Sequence, residues 1–378
     1  MKLAFCLFNY FPYGGLQRDF LRIARTCQKR GHEVHVYTME WEGNHEQDFH
    51  LHLIKIPAMQ NHTRAQAFAE KVKAELEPGR YDLVVGFNKM PYLDLYYAAD
   101  VCYQARVHEQ RAWWYRLLPR YRRWVALEKA VFARGKNIAI MLLSPLQQQA
   151  YMQWCGTEPE RFHLLPPGIA KDRIAPANAS EIRQQVRSKH QLTDKHFLLL
   201  MIGSGFKTKG VDRAIAALAA IPKALKTRCQ LYVIGQDDPR AFQALAKRLH
   251  VTDQVQFLGG RSDVADFLQA ADILIHPSYH ENTGTVLLEA LASGLPVLTV
   301  DACGYAHYVQ EAKAGIVLPL PFKQEELNLA LQKMLSSPDM AGWRQNGLSF
   351  AKQTDLYSLP DKAADLIENV GRNRVSSS

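Results

Sequence analysis

Short apolar runs alternate with segments of helical spacing along most of the chain. In the first half, residues 2–8 and 34–38 are apolar enough for buried strands. Residues 16–30, between them, have the spacing of an amphipathic helix that ends at Gly31. This order predicts a βαβ unit of a parallel sheet. Further strands are predicted at 83–87 and 138–143.

The second half repeats this alternation after the sequence LLPPG at 164–168, and residues 175–179 are predicted to be a linker. Six apolar runs predict further strands, at 197–202, 230–234, 255–258, 272–275, 296–300 and 316–318. The predicted fold class is α/β, with two Rossmann-like doubly wound domains facing each other across a cleft. Their predicted bounds are 1–168 and 169–354, and ligands are expected at the carboxyl ends of the strands.

Composition narrows the class of protein. A chain of 378 residues with 47% hydrophobic and 22% charged residues is typical of a globular protein of two domains. No stretch approaches the roughly 20 apolar residues of a membrane span, and the N-terminus is predicted to be a strand, not a signal peptide. The six cysteines lack metal-binding spacing, which favours reduced thiols in the cytoplasm. The glycine motif G-x-G-x-x-G of nicotinamide-binding proteins is absent after the first strand, so a nicotinamide cofactor is not indicated. The tail 371–378 is expected to be disordered.

Residues 271–297 are the strongest candidate for chemistry. An apolar run ends at His276, a loop follows, and helical spacing begins after Gly284. The first amides of a helix have free N–H groups and lie at the positive end of its dipole. Gly284, Thr285 and Val286 are therefore predicted to bind phosphate.

Two carboxylates bracket this phosphate site. Glu281 lies on the loop and Glu289 on the helix, eight positions apart, so both could face one ligand. Such a pair suits a sugar nucleotide, with one carboxylate for sugar hydroxyls and the other for ribose hydroxyls. An ordinary helix with one acidic residue before it and one exposed Glu would have the same spacing. The spacing alone therefore does not distinguish a ligand site from such a helix.

Other candidates lie beside predicted strand ends. Gly15, between the first strand and helix, leaves bare backbone that a donor sugar could approach, although a tight turn also explains it. Asp19 could face the donor sugar or stabilise the helix dipole. The backbone near Ile234 could bind the edge of a uracil ring, and Arg261 could close over the base or a phosphate.

The spacing of Glu281 and Glu289 resembles the E-x7-E signature of the retaining GT-B glycosyltransferases of family 4. The resemblance extends through FPYGGLQRDF, GFNKMP, LLPPGI, GSGFKTKG, CGYAH and DLYSLP. It implies the GT-B fold and, within the family, transfer of glucose from UDP-glucose to the inner-core heptose of lipopolysaccharide. It also implies that a last helix, 355–370, crosses back onto the N-terminal domain.

The resemblance assigns further roles. Arg173 and Lys209 match the cations that grip the nucleotide diphosphate, and Gly15 lies beside the donor. Glu281 orients the sugar and is not the nucleophile, so the acceptor attacks on the face that the diphosphate leaves. Since fixed cations can replace a metal ion, no metal or other cofactor is expected. Where many relatives have a His that contacts the sugar, this chain has Asp100. It is a catalytic candidate that could bind a sugar hydroxyl or assist the acceptor, or it could be purely structural.

Residues 101–136 hold nine Lys or Arg and only two Glu, with aromatic residues among them. Pro119 predicts the start of a helix near residue 118. A basic helix with aromatic residues at its apolar edge is typical of an anionic bilayer surface. A solvated charged face is the alternative, and no motif indicates nucleic acid.

Because the implied acceptor is lipid-anchored, a peripheral position on the inner leaflet of the inner membrane is expected. The predicted membrane residues are Trp113, Trp124, Arg116, Arg120, Arg122 and Arg123.

Three alternatives stay open. UDP-galactose or UDP-N-acetylglucosamine could replace UDP-glucose, because the loop 280–285 selects the sugar through its geometry. A nucleotide-sugar epimerase would use two similar domains but needs further acid and base residues and no lipid acceptor. A catalytically inactive membrane-surface module is disfavoured because the charged site residues are all present.

Overall fold

The structure is a computed structural model that describes residues 1–12, 14–44, 46, 48–57, 60–76 and 79–375. The chain divides into two compact units. The N-terminal unit consists of Met1–Gly168 and Ser358–Ser378, and the C-terminal unit of Ile169–Tyr357. The linker predicted at 175–179 is wrong. These residues lie within the C-terminal unit, where the Ala175 amide donates a hydrogen bond to the Ala292 carbonyl at 3.0 Å.

The N-terminal unit is built on parallel strands. Its strands are β1 (Lys2–Cys6), β2 (Asn9–Tyr10), β3 (Glu33–Thr38), β4 (Glu40–Trp41), β5 (His50–Leu53), β6 (Leu83–Gly86), β7 (Leu95–Ala98), β8 (Ala139–Leu142) and β9 (Phe162–Leu164). Its helices up to this point are α1 (Gly15–Lys29), α2 (Asn61–Glu75), α3 (Tyr103–Gln110), α4 (Pro119–Phe132) and α5 (Pro145–Cys155). Among the described residues, one sheet has the order β5-β3-β1-β6-β7-β8-β9, and β2 pairs with β4.

The C-terminal unit repeats this architecture. Its strands are β10 (Phe197–Ile202), β11 (Cys229–Ile234), β12 (Val255–Gly259), β13 (Ile273–His276), β14 (Val297–Val300) and β15 (Gly315–Leu318). Its helices are α6 (Ala179–Lys189), α7 (Phe206–Lys209), α8 (Val211–Ala220), α9 (Lys223–Lys226), α10 (Arg240–Arg248), α11 (Val264–Ala270), α12 (Thr285–Ala292), α13 (Ala306–Glu311), α14 (Gln324–Leu335) and α15 (Met340–Gln353). The sheet order β12-β11-β10-β13-β14-β15 is the 3-2-1-4-5-6 order of dinucleotide-binding folds.

The predicted fold class, α/β with Rossmann-like doubly wound domains, is confirmed. Continuous apolar runs form the central strands because these are covered on both faces, as the burial of Phe5 and Leu200 illustrates. The pattern misses β5, β7 and β9 of the main sheet and the two-residue strands β2 and β4. The edge strand β5 alternates polar and apolar residues and is half-exposed, and β9 has only three residues.

The last helix, α16 (Leu359–Val375), belongs to the N-terminal unit and packs on α1. Leu359 and Ile367 join the hydrophobic core that contains Phe20 of α1. Disorder of the tail is wrong for residues 371–375, because the helix continues past the buried Gly371. Residues 376–378 lie outside the described residues. No helix of the described chain is long and apolar enough to span a membrane.

Candidate active site

The strand order of the C-terminal sheet reverses between β10 and β13, which pair side by side. At such a reversal the two strands send their helices to opposite faces, leaving a crevice at their carboxyl ends. Lys209 follows β10 and Glu281 follows β13. The sheet topology therefore brings these two predicted residues to the same place.

Close packing of the backbone fixes Lys209 opposite the loop that carries Glu281. Gly210 has a φ of +80°, which favours glycine, and a Cβ there would overlap the backbone oxygen of Pro277. The Tyr279 amide donates a hydrogen bond to the Thr208 carbonyl at 2.8 Å. The segment after β10 thus rests directly on the end of β13.

Three polar side chains meet at this point. Nζ of Lys209 donates a hydrogen bond to Oε1 of Glu281, and Nε2 of His276 lies 2.5 Å from Oε2. The His276 side chain is fully buried, whereas 15% of the Glu281 side chain is exposed. Each carboxylate oxygen is held by one nitrogen, which fixes the orientation of the carboxylate. Sequence reasoning assigned no role to His276, and its one signal was a polar residue at the end of an apolar strand.

The Glu281 carboxyl is strongly acidic. Burial alone would raise its pKa, but the charges of His276 and Lys209, and the hydrogen bonds from both, lower the pKa to about 2. The carboxyl is therefore ionised at neutral pH. A carboxylate with so low a pKa is a weak base and a weak nucleophile, and its chemistry is that of a hydrogen-bond acceptor.

The loop after Glu281 leads to the N-terminus of α12. Gly284 is the N-cap residue with a φ of +79°, and a Cβ there would overlap Sγ of Cys303. Glu281 forms a parallel β-bridge with Cys303 on the other side of this loop. The predicted phosphate ligands Gly284, Thr285 and Val286 are therefore the N-cap and first two residues of the helix, where N–H groups are free to bind an anion.

Arg173 and Glu289 form a second charged pair. Nε of Arg173 lies 3.9 Å from Oε2 of Glu289, and the two side chains are only 10% and 5% exposed. The Arg173 carbonyl accepts a hydrogen bond from Oγ of Ser293 at 2.7 Å, which ties the turn of Arg173 to the end of α12. Nε and Nη1 of Arg173 are buried without a hydrogen-bond partner among the described residues. A buried guanidinium with unused donors is suited to an oxyanion such as phosphate.

Two further predicted donor ligands already have partners within the unit. The Ile234 carbonyl accepts the Gly203 amide at 2.8 Å. The Arg261 guanidinium pairs with Asp263 through hydrogen bonds of 2.7 and 2.6 Å. Ile234 is the last residue of β11, and Arg261 lies two residues after the end of β12 in the same sheet. Their roles in nucleotide binding stay predictions.

Gly15 and Asp19 lie in the first turns of α1, and Asp100 follows β7 in the N-terminal unit. A Cβ on Gly15 would meet no described atom within 4 Å, so packing in this unit does not require glycine. Asp19 accepts a hydrogen bond from the hydroxyl of Tyr97 at 2.7 Å. Asp100 is exposed, and its carbonyl accepts the hydroxyl of Tyr151 at 2.9 Å. Their roles in binding stay predictions.

One group of side chains in the C-terminal unit has the composition of a metal site. Possible ligand atoms of His276, Glu281 and Cys303 lie within 4.8 Å of one another. Lys209, however, donates to the same carboxylate. Burial also raises the pKa of the Cys303 thiol well above its ordinary value, so the thiol stays protonated. The group is better suited to neutralisation by lysine than to binding a metal ion.

The basic segment of the N-terminal unit carries exposed apolar side chains. A short 3₁₀ helix, Trp113–Leu117, precedes α4, which begins at Pro119 as predicted. The tryptophan–arginine surface consists of the exposed residues Trp113, Trp114, Arg116, Leu117, Leu118, Arg120 and Arg122. Two predicted members contribute less, because Trp124 is half-buried and Arg123 donates a hydrogen bond to the Thr63 hydroxyl.

Known families match both units. The description "Glycosyltransferase Family 4" matches residues 13–173, and "Glycosyl transferases group 1" matches residues 182–348. The lipopolysaccharide glucosyltransferase WaaG of Escherichia coli K12 is 48% identical over 368 residues, which are 97% of this chain and 98% of the relative.

Solved structures show the same likeness. A crystal structure of WaaG, a glycosyltransferase involved in lipopolysaccharide biosynthesis, has a TM-score of 0.93 and 47% identity, covering 97% of this chain and 99% of that chain. Anabaena HepE in complex with UDP-glucose has a TM-score of 0.75 and 20% identity, covering 98% of this chain and 100% of that chain. At that identity the likeness to HepE concerns the fold alone.

Proposed function

The chain belongs to the family 4 glycosyltransferases, and we propose that it transfers glucose from UDP-glucose to the inner-core heptose of lipopolysaccharide with retention of configuration. The cluster of His276, Lys209 and Glu281 beside the N-terminus of α12 supports the reaction type, because a cation and an ionised carboxylate meet where we assign the donor diphosphate. Similarity to WaaG along nearly the whole of both chains carries the choice of glucose and lipopolysaccharide.

Three features of the C-terminal unit support binding of the donor diphosphate. The Lys209 ammonium has three N–H donors, and Glu281 accepts one of them. Arg173 has two buried nitrogens without a hydrogen-bond partner among the described residues. The N-terminus of α12 adds free amides. Negative charge gathers on the diphosphate as its bond to the sugar breaks, so these fixed groups stabilise the transition state more than the ground state.

Glu281 orients the sugar. Its ionised carboxylate is held from two sides by Lys209 and His276, and its remaining lone pairs can accept hydrogen bonds from sugar hydroxyls. Glu289 lies one and a half turns into α12 and is assigned to the ribose hydroxyls. Ile234 and Arg261 are assigned to the uridine end of the donor, and Gly15, Asp19 and Asp100 to the sugar or acceptor.

The proposed step is substitution on one face of the sugar. The acceptor oxygen forms its bond to C1 as the bond between C1 and the phosphate oxygen breaks. The proton of the acceptor hydroxyl passes to the departing phosphate oxygen, so neither face of C1 needs a protein nucleophile. Lys209 and Arg173 supply the positive charge, and the step needs no metal ion.

The tryptophan–arginine surface is proposed to hold the enzyme on an anionic bilayer. Trp113 and Trp114 are 70% and 54% exposed and Leu117 is 58% exposed. Exposed cations at Arg116, Arg120 and Arg122 border these apolar side chains in the sequence. Each cation near an anionic membrane contributes about 1 kcal/mol. The enzyme would thereby rest on the cytoplasmic face of the inner membrane, where a lipid-anchored acceptor is within reach.

Release of UDP from a panel of donors tests the function. UDP-glucose, UDP-galactose and UDP-N-acetylglucosamine are each incubated with truncated lipopolysaccharide that ends in heptose, and with the same lipid lacking heptose. UDP release is expected only when UDP-glucose is combined with the acceptor that ends in heptose. Release from another donor would contradict the choice of glucose. Conversion of the donor without any acceptor would favour an epimerase.

Sedimentation with lipid vesicles tests the membrane surface. The protein should bind vesicles rich in anionic lipid, and both salt and reversal of Arg116, Arg120 and Arg122 to Glu should weaken binding. The matched control reverses three exposed cations of the C-terminal unit, Lys223, Lys247 and Lys352. Equal binding to neutral vesicles, or equal loss in the control, would show that this surface is not the anchor.

A further inference from the structure

Four polar side chains gather on one face of the N-terminal sheet, outside the residues of the candidate active site. The edge strand β5 runs parallel to β3, and the register pairs His35 with His50 and Tyr37 with His52. Glu33 precedes His35 by two residues, so both point to the same face of β3. The register of two strands therefore collects Glu33, His35, His50 and His52.

The ligand atoms of this group are close together. Nε2 of His35 lies 2.7 Å from Oε1 of Glu33, and Nε2 of His50 lies 3.9 Å from the same oxygen. The rings of His35 and His50 are stacked with centroids 4.5 Å apart. One ligand atom from each of these three residues lies within 4.8 Å of the other two. The three groups are therefore close enough to one another to hold one metal ion.

A fourth residue orients the buried member of the group. Nδ1 of His35 lies 2.9 Å from Nε2 of His52, and the Tyr81 hydroxyl lies 3.3 Å from the same Nδ1. Imidazole ligands of metal ions are oriented by such a hydrogen bond from the second ring nitrogen.

We propose that Glu33, His35 and His50 bind a Zn²⁺ ion, with His52 as the residue that orients His35. Two imidazoles and one carboxylate form a common ligand set for zinc, and water would complete the tetrahedron. Ala4 is the partner of His35 on β1, so no large side chain fills the adjacent position. The ion would clamp the edge strand β5 to β3. The proposed ligands are separate from the residues assigned to glycosyl transfer.

Lys2 is the group that opposes the ion. Its Nζ lies 3.4 Å from Oε1 of Glu33, and 38% of the Lys2 side chain is exposed. The ammonium can therefore move into solvent when a metal ion takes the carboxylate. Replacement of Lys2 with Gln should tighten zinc binding, because it removes a competing cation.

Zinc titration of the full-length chain, without a histidine tag and after removal of bound metal, tests the proposal. Calorimetry should give one ion per chain, and Co²⁺ as a substitute should give the visible absorption of a tetrahedral site. His50→Ala should weaken binding at least tenfold, and His52→Ala about 10- to 100-fold as expected for an orienting partner. His50 is 60% exposed, so its replacement should leave the fold intact. His250→Ala, an exposed histidine of the C-terminal unit, is the matched control and should bind normally.

Zinc should also raise the melting temperature of the wild type but not of His50→Ala. Equal affinity in the wild type and His50→Ala would overturn the proposal. Loss of binding in Glu281→Gln with normal binding in His50→Ala would also overturn it, because the ion would then occupy the C-terminal cluster. UDP release by His50→Ala in EDTA should equal that of the wild type, which keeps this test separate from the proposed function.

Discussion

Replacing Glu281 with Gln keeps the shape of the side chain and removes its charge. In the wild type, Oε1 accepts a hydrogen bond from Lys209 and Oε2 lies 2.5 Å from Nε2 of His276. The amide of Gln has one acceptor oxygen and one donor nitrogen. The oxygen can still accept from Lys209, and the nitrogen can donate to Nε2 of His276 if that ring takes the tautomer in which Nε2 accepts. What the variant loses is the negative charge of the acceptor that faces the sugar.

The charge of Glu281 sets the size of the effect. With its pKa lowered to about 2, the carboxyl is ionised at neutral pH, so the contact that the variant loses is one to a charged group. A hydrogen bond to a charged group contributes about 1.5–3 kcal/mol. If the sugar contact depends on this charge in the transition state, kcat should fall roughly 10- to 100-fold. The KM for UDP-glucose should change little, because the contacts that bind the donor equally in the ground state and the transition state are retained.

Glu289→Gln is the matched control, since Glu289 is a buried carboxylate of the same segment whose proposed contact is the ribose. It should raise KM more than it lowers kcat. Both variants and the wild type are assayed for UDP release over a range of UDP-glucose concentrations up to saturation, with heptose-terminated lipopolysaccharide, after thermal melts show that they are folded. Equal turnover in the wild type and Glu281→Gln would refute the reasoning.

Three other predictions follow from the same site. Arg173→Ala and Lys209→Ala should each lower kcat/KM by about 10²-fold, the scale for removal of a preorganised charge, and full activity of either variant would exclude its diphosphate role. Activity should survive EDTA, whereas dependence on added Mg²⁺ or Mn²⁺ would show that the cations do not replace a metal. Since the folded pKa of Glu281 lies below its ordinary value, its stabilisation should be complete above pH 4.5 and lost as the pH falls towards 2. The unfolding free energies of the wild type and Glu281→Gln should converge over that range, and a constant difference would contradict the depressed pKa.

Much of the fold could be predicted because its central strands are continuous apolar runs. β10 lies at the predicted residues, and β11 begins one residue before its predicted start. The edge strand β5 could not be found this way, since it is a four-residue His-Leu alternation without a continuous apolar run. The last helix also extends beyond its predicted end. Its extension was not visible in the sequence, because the burial of Gly371 depends on the tertiary structure.

The predicted family is confirmed, and the local part of the site followed from spacing. Gly284, Glu281 and Glu289 belong to one strand–loop–helix segment, whose periodicity is visible in the sequence. His276 was missed, because a single polar residue at a strand end reads equally well as a packed core residue. Its contact with Glu281 arises only when the loop folds back.

The anomeric configuration of the transferred sugar tests the central claim most directly. Heptose-terminated lipopolysaccharide is incubated with UDP-glucose labelled with ¹³C in the sugar, and the product is examined by NMR. An α-linked glucose on the heptose, formed in the presence of EDTA, is the predicted result. A β-linked glucose, or label that never leaves the nucleotide sugar, would contradict retaining glucosyl transfer by this chain.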